Sequence, residues 1–225
     1  DEATKYLDQV SNQERYKNEL NYFQADLNFK LGAFEKAIDV AKIALEKANN
    51  NETSELSKII GESYFNLKKY SKAIPYLKAY TGQKGKWTNV DFYQLGYAYY
   101  KQNDFDKAIG EFNKIINGNN TIAQNAYYHL GESYINLDKK QQALNAFRRA
   151  SEMDFDAKIR EDAWLNYAKL SYDIGNPYNS TPQVLSEFLE NYPKSPFRET
   201  IELLLVDSYI SSKNYKEALQ LLESN

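Results

Sequence analysis

Apolar and small residues return along this chain in paired short stripes separated by polar turns. Phe92, Gly96 and Tyr99 fall four and three residues apart, which places them on one side of a helix. After a polar QNDF turn, Ala108, Phe112 and Ile115 repeat that spacing. The pattern predicts two amphipathic helices joined by a tight turn. It also recurs: GESYFNL begins at Gly61 and GESYINL at Gly131, 70 residues later. Aligned on Ala-Ile or Ala-Leu, the chain gives Ala37, Ala73, Ala108, Ala143 and Ala218, with Val184 in the gap, at intervals of 36, 35, 35, 41 and 34. Twelve residues before most of these lies a second small residue, Ala25, Gly61, Gly96 or Gly131, with Val206 as a larger variant. This period predicts an all-α chain of about six helix-turn-helix repeats, near 18–51, 54–88, 89–122, 124–157, 161–197 and 199–225, forming one solenoid domain over 1–225. Residues 1–16 read as a helix left from a preceding repeat.

A glycine inside a helix costs about 1 kcal/mol against alanine, so its recurrence at positions 61, 96 and 131 needs compensation. Close backbone approach between paired helices is the expected source. Three stretches carry a family likeness: IGESYFNLKKYSKAIPYL from Ile60, LGYAYYKQNDFDKAIGEF from Leu95 and LGESYINLDKKQQALNAF from Leu130. They resemble the tetratricopeptide repeat, a helix-turn-helix with Leu-Gly and Tyr on its first helix and Ala and an aromatic on its second. The resemblance implies a right-handed superhelix of stacked helix pairs with a concave inner wall. The first unit keeps Leu31, Phe34, Ala37 and Ala44 but has Asn28 where the family prefers Tyr. The fifth has Trp164 and Ala168, and GNPYNSTPQ stretches its turn by about four residues. SEFLENYPKSP is similar to a phrase in repeat proteins of the bacterial cell envelope, including assembly lipoproteins and the periplasmic Tol-Pal partner. That likeness implies a periplasmic or envelope-associated protein, with a cytoplasmic one as the alternative.

Charge narrows the partners. The 28 basic and 31 acidic side chains leave a net charge of −3, without a block of like charge, which argues against nucleic acid. No apolar run is long enough to insert into a membrane. The chain opens at Asp1 with no initiating Met, and it reads as a fragment whose export signal or lipid anchor lies outside it. Zero cysteines remove disulfides and thiolate chemistry. Twenty tyrosines exceed what core filling needs, so many are expected at half-wet positions.

Each first helix carries a second stripe, one residue later than the structural one and rotated by about 100°. As the expected concave, partner-binding wall it comprises Tyr22, Asp26 and Phe29; Lys58, Glu62 and Phe65; Tyr93, Tyr97 and Tyr100; Tyr128 and Glu132; and Lys169 and Tyr172. Rings of this kind give large contact area with few rotors to freeze. The alternative is that they fill space between repeats. The acids Asp26, Glu62, Glu132 and Asp207 either solvate the wall or select basic and hydrogen-bonding peptides. Some family members hold a chaperone's C-terminal carboxylate in a clamp of Lys, Asn and Arg. The equivalent wall here has Tyr22, Asp26, Ile59, Val90 and Gln94, so that mode is rejected.

Catalysis has little to build on. His129 is the only histidine and reads as a groove or surface residue. Asp154, Asp156 and Asp162 lack calcium-loop spacing and read as turn and first-turn charge. No metal or cofactor is expected. Trp87 precedes the third unit, where an apolar residue often staples a helix start. The leading expectation is therefore a non-catalytic scaffold that binds a protein or peptide in a Tyr-rich groove. The alternative is a structural subunit that assembles as a homo-oligomer or envelope complex through its end repeats and convex face, motivated by Leu203, Leu204 and Leu205.

Overall fold

The computed structural model describes residues 2, 5, 6 and 17–223. The helix expected over 1–16 therefore lies almost wholly outside the described residues. Between 17 and 223 there are twelve helices: α1 (Lys17–Lys30), α2 (Phe34–Leu45), α3 (Asn50–Asn66), α4 (Tyr70–Ala79), α5 (Asn89–Lys101), α6 (Phe105–Phe112), α7 (Thr121–Asn136), α8 (Lys140–Ser151), α9 (Ala157–Ile174), α10 (Thr181–Asn191), α11 (Arg198–Ser211) and α12 (Tyr215–Glu223). The described residues contain no strand; only an isolated bridge joins Gln83 and Lys86.

The chain divides into two compact units, residues 1–114 with α1–α6 and residues 115–225 with α7–α12. Within each unit every helix packs on the next. First helices of successive repeats also touch, α1 with α3 in one unit and α7 with α9 and α9 with α11 in the other. This is the packing of stacked helix pairs, in which neighbours bury a face that one pair leaves open.

The recurrent alanines are the contact points: Ala25, Ala37, Ala73, Ala108 and Ala143 are fully buried. The recurrent glycines are notches, though not all of one kind. A Cβ at Gly61 would stand 2.9 Å from the backbone nitrogen of Leu77, which is the expected backbone approach. At Gly96 and Gly131 the intruder is instead a ring, Phe112 at 2.9 Å and Phe147 at 2.6 Å. Those two glycines admit a large second-helix aromatic, so the lost helix propensity is offset by burial of Phe112 and Phe147.

The helix pairs close with one backbone device that the sequence does not announce. Gly32, Lys68, Asn103, Asp138 and Lys213 all have φ between 55° and 74°. In each turn that residue's amide donates to the carbonyl three back, and the next amide donates to the carbonyl five back, as in Lys68 to Phe65 and Lys69 to Tyr64 at 2.8 Å. This paired bonding caps the first helix and restarts the chain at once. The fifth pair differs. Its turn spans 175–180, three residues longer than 67–69 rather than the four expected. Asn176 pins it, donating to the Tyr167 hydroxyl at 2.8 Å and to Ser171 Oγ at 2.7 Å.

Side chains cap the starts of α3, α5, α7, α9 and α10. Thr88 and Asp91 form a reciprocal capping box on α5, and Asn49 and Glu52 form one on α3. Trp87, one residue before Thr88, lays its ring on Phe92 at a 5.1 Å centroid distance, and its Nε1 donates to the Tyr80 carbonyl at 2.7 Å. The expected staple is present and is hydrogen-bonded as well. Asp156 caps α9 by accepting from Lys158 and Ile159 amides, while Asp154 pairs with Arg160 at 3.0 Å, so these acids serve the turn.

Candidate interaction surface

In the first unit the later stripe of α3 and α5 converges into a ring network. Tyr97 is its hub, 5.8 Å from Phe65, 5.8 Å from Tyr70, 6.0 Å from Tyr93 and 5.9 Å from Tyr100. The Tyr93 contact is stacked, and Tyr93 also reaches Phe112 at 5.8 Å. Lys101 Nζ lies 5.2 Å from the Tyr97 ring centre and 5.3 Å from that of Tyr100. Spacings of three and four put these rings on one helical side, and α4 supplies Tyr70. All remain half-buried, so each offers an edge or face while resting on its neighbours.

Three wall rings have a further tie. Phe29 meets Phe34, Phe65 meets Tyr70 and Tyr100 meets Phe105, each five residues on and across the turn, at 5.8, 5.5 and 6.0 Å. They therefore help close their own helix pairs. Sequence reading named Phe34 only as a family position and gave Tyr70 and Phe105 no role, although each of the three is the first residue of its helix.

Beside the rings lies a charged group. Lys58 Nζ is 3.5 Å from Asp91 Oδ1 and 4.7 Å from the Tyr80 ring centre. Burial alone would depress the Lys58 ammonium, but Glu62, Asp91 and Tyr80 outweigh it and its pKa is raised. Burial also raises the Glu62 carboxyl, against the opposing pull of Lys58 and a hydrogen bond from Gln94. Asp91, missed as a participant, is buried and doubles as the capping-box acid of α5. On α1, Tyr22 meets Phe23, and Asp26 pairs with Lys30 at 2.6 Å.

In the second unit the wall residues are more dispersed. Tyr128 packs on Phe147 at 5.7 Å, and burial, then Glu132 and Asp162, raise its hydroxyl pKa strongly. His129 is half-buried with Nδ1 2.7 Å from Glu132 Oε2. Lys169 lies over the Phe197 ring, and Tyr172 donates to Asp207 Oδ2 at 2.5 Å. Among the described residues no group of three or more His, Asp or Glu has metal-holding geometry, and no helix is long and apolar enough to cross a membrane.

Comparison with known proteins places the fold. The family model described as "Anaphase-promoting complex, cyclosome, subunit 3" matches residues 78–150. Response regulator aspartate phosphatase E of Bacillus subtilis (strain 168) is 28% identical over 162 residues, 65% of this chain and 42% of that protein. The chain thus spans about two fifths of the length of that relative. The crystal structure of YrrB, described as a TPR protein with an unusual peptide-binding site, superposes with a TM-score of 0.66 at 17% identity, over 86% of this chain and 96% of that one. Apo RapI gives 0.62 at 14% identity, over 99% of this chain and 68% of that one. A tetratricopeptide repeat protein from Parabacteroides merdae ATCC 43184 gives 0.57 at 20%, over 92% and 78%.

Proposed function

We propose a function from one premise: this chain belongs to the tetratricopeptide-repeat family. It is a non-catalytic interaction scaffold, and a protein or peptide segment lies against the ring surface of α3 and α5. The observation that carries this reading is the ring network centred on Tyr97, with Lys101 over it and Lys58 and Glu62 beside it. Core filling alone calls for rings that are apolar and sealed, whereas all of these but Phe65 carry hydroxyls, and all keep part of their surface in water. Because the rings already brace one another, a partner meets a surface whose rotors are largely fixed, and the ordering cost falls mainly on the partner. The peptide-binding site in the name of YrrB agrees with this reading.

The test begins with a peptide selected from a random displayed library against the purified protein. Its site is then mapped by backbone amide shifts. Shifts concentrated in 58–65 and 93–101 are expected, and Tyr93→Ala is expected to weaken binding by about tenfold with helical content retained. Tyr97→Ala is a poorer probe because four rings rest on Tyr97. Shifts confined to residues outside these two helices would remove the groove from this proposal.

A second reading is self-assembly through the last repeat. It is favoured by Leu203, 67% exposed on α11, with Leu219 and Leu222 each 56% exposed on α12. The apolar trio expected at 203–205 is only partly open: Leu205 is buried against the core and Leu204 is half-buried, because successive positions on a helix point to different sides.

A further inference from the structure

The first helix and the start of the third enclose a groove that the Tyr97 network does not use. Tyr22 and Phe23 on α1 meet edge to face, with centroids 5.6 Å apart, and Phe23 remains 55% exposed. Glu19 stands one turn earlier on α1, and Asn51, Glu52 and Glu55 complete the lining from the first turns of α3. The space between them is about 450 Å³. Among the described residues three carboxylates line this groove, and no Lys or Arg does. The cations described on these two helices serve other partners: Lys30 pairs with Asp26 at 2.6 Å, and Lys58 faces Asp91 and Tyr80. Glu52 is partly engaged, since one of its oxygens accepts the Asn49 amide at 2.9 Å.

Ring surfaces rimmed by carboxylates suit a cation carried on an apolar stem. The stem covers the rings while the head sits near the acids, where both the ring quadrupole and the carboxylates favour positive charge. An anionic occupant would meet repulsion from three sides. A purely apolar one would strip water from the acids with nothing to replace it. We propose that the groove between α1 and α3 receives a lysine or arginine side chain of a partner peptide, with Tyr22 and Phe23 as its bed and Glu19 and Glu55 as its counter-charges. This rests on reading the repeats as an interaction scaffold, but on a surface separate from the ring network of α5.

The experiment titrates the whole chain with three capped tripeptides, Leu-Arg-Leu, Leu-Lys-Leu and Leu-citrulline-Leu, and follows backbone amide shifts. The Arg and Lys peptides are expected to shift residues 19–23 and 51–55, and citrulline, which keeps the shape and loses the charge, to bind at least about tenfold more weakly. Phe23→Ala and Glu55→Gln should each weaken the Arg peptide severalfold with far-ultraviolet circular dichroism unchanged. Equal binding of the citrulline peptide overturns the proposal, since the groove is then merely apolar. So does a Phe23→Ala variant that, without peptide, shifts the amides of residues 1–16, because the groove then belongs to the chain itself. Shifts at 93–101 alone overturn this inference and leave the scaffold reading standing. Shifts at 19–23 and 51–55, with a selected peptide failing at 93–101, do the reverse.

Discussion

Gln124 is fully buried, and it is the polar side chain on which one inter-helix connection depends. Its Nε2 donates to the carbonyls of Met153 at 2.6 Å and Ala150 at 3.2 Å, and its Oε1 accepts the amides of Asp156 at 2.8 Å and Phe155 at 3.2 Å. One amide thus ties the end of α8 and the loop that follows it to α7, and it pairs the Met153 carbonyl and the Phe155 and Asp156 amides. Gln124→Ala leaves those groups buried and opens a cavity, so a loss of about 2–4 kcal/mol is expected in urea unfolding. A loss under about 1 kcal/mol would mean that water replaces the side chain. Nothing in the sequence marks this residue, because its partners lie 26 to 32 positions away and a Gln on a helix reads as solvent-facing. Glu62 titrates in the opposite sense to most acids. Its proton is held more tightly in the folded state than at the ordinary value of 4.5, owing first to burial. Its contribution to stability is therefore greatest below that value and is lost as pH rises through the raised folded pKa. Glu62→Gln should raise the melting temperature at pH 7, and the difference from the parent should vanish near pH 4. A parent that melts higher than the variant at pH 7 would show that attraction to Lys58 outweighs burial.

Helix pairs were legible as elements because small residues, rings and turns repeat with a fixed period, and the staple at Trp87 followed from its place before a cap. The capping boxes and the left-handed turn residues were not legible. Lys68 and Lys213 adopt positive φ although nothing in their chemistry asks for it, so the turn's hydrogen bonds rather than local preference decide their conformation. Glycines on two helices show how packing fixes what composition leaves open. At Gly131 an added methyl would meet Phe147 at 2.6 Å, whereas at Gly110, on α6, it would meet nothing within 4 Å. Gly131→Ala is expected to destabilise by about 1–3 kcal/mol through overpacking. Gly110→Ala is expected to stabilise by about 0.5–1 kcal/mol through lower unfolded-state entropy and better helix propensity. Chemical denaturation of the two variants decides the matter: changes of the same sign would show that ring and backbone at α7 and α8 relax more easily than a close-packed interface permits. A Phe147→Leu change placed on Gly131→Ala should recover part of the loss.

At the scale of the molecule the candidate surfaces are unevenly spread, and the reason is chemical. The first unit gathers the wall rings of α3 and α5 into one network, while the second spends Tyr128 and Tyr172 on carboxylates and Lys169 on Phe197. The stripe was legible because helical spacing alone defines it, but which rings converge was not, since that depends on second-helix residues such as Tyr70. The most exposed large apolar side chains described in the second unit lie on α11 and α12, where Leu203, Tyr215, Leu219 and Leu222 are each more than half exposed. Between α10, α11 and α12 a groove is lined by Leu189, Leu205, Tyr209 and Leu221 with Glu190, Arg198 and Glu217, and Arg198 pairs with Glu202 at 2.6 Å. A two-fold pairing would bring each copy's leucines against the other's groove. Light scattering from about 5 to 500 μM tests it. A mass rising above 26.1 kDa with concentration is expected, and Leu203→Lys with Leu219→Lys should return it to that value with helical content unchanged. A mass of 26.1 kDa throughout would leave this face without a second copy and the self-assembly reading without support.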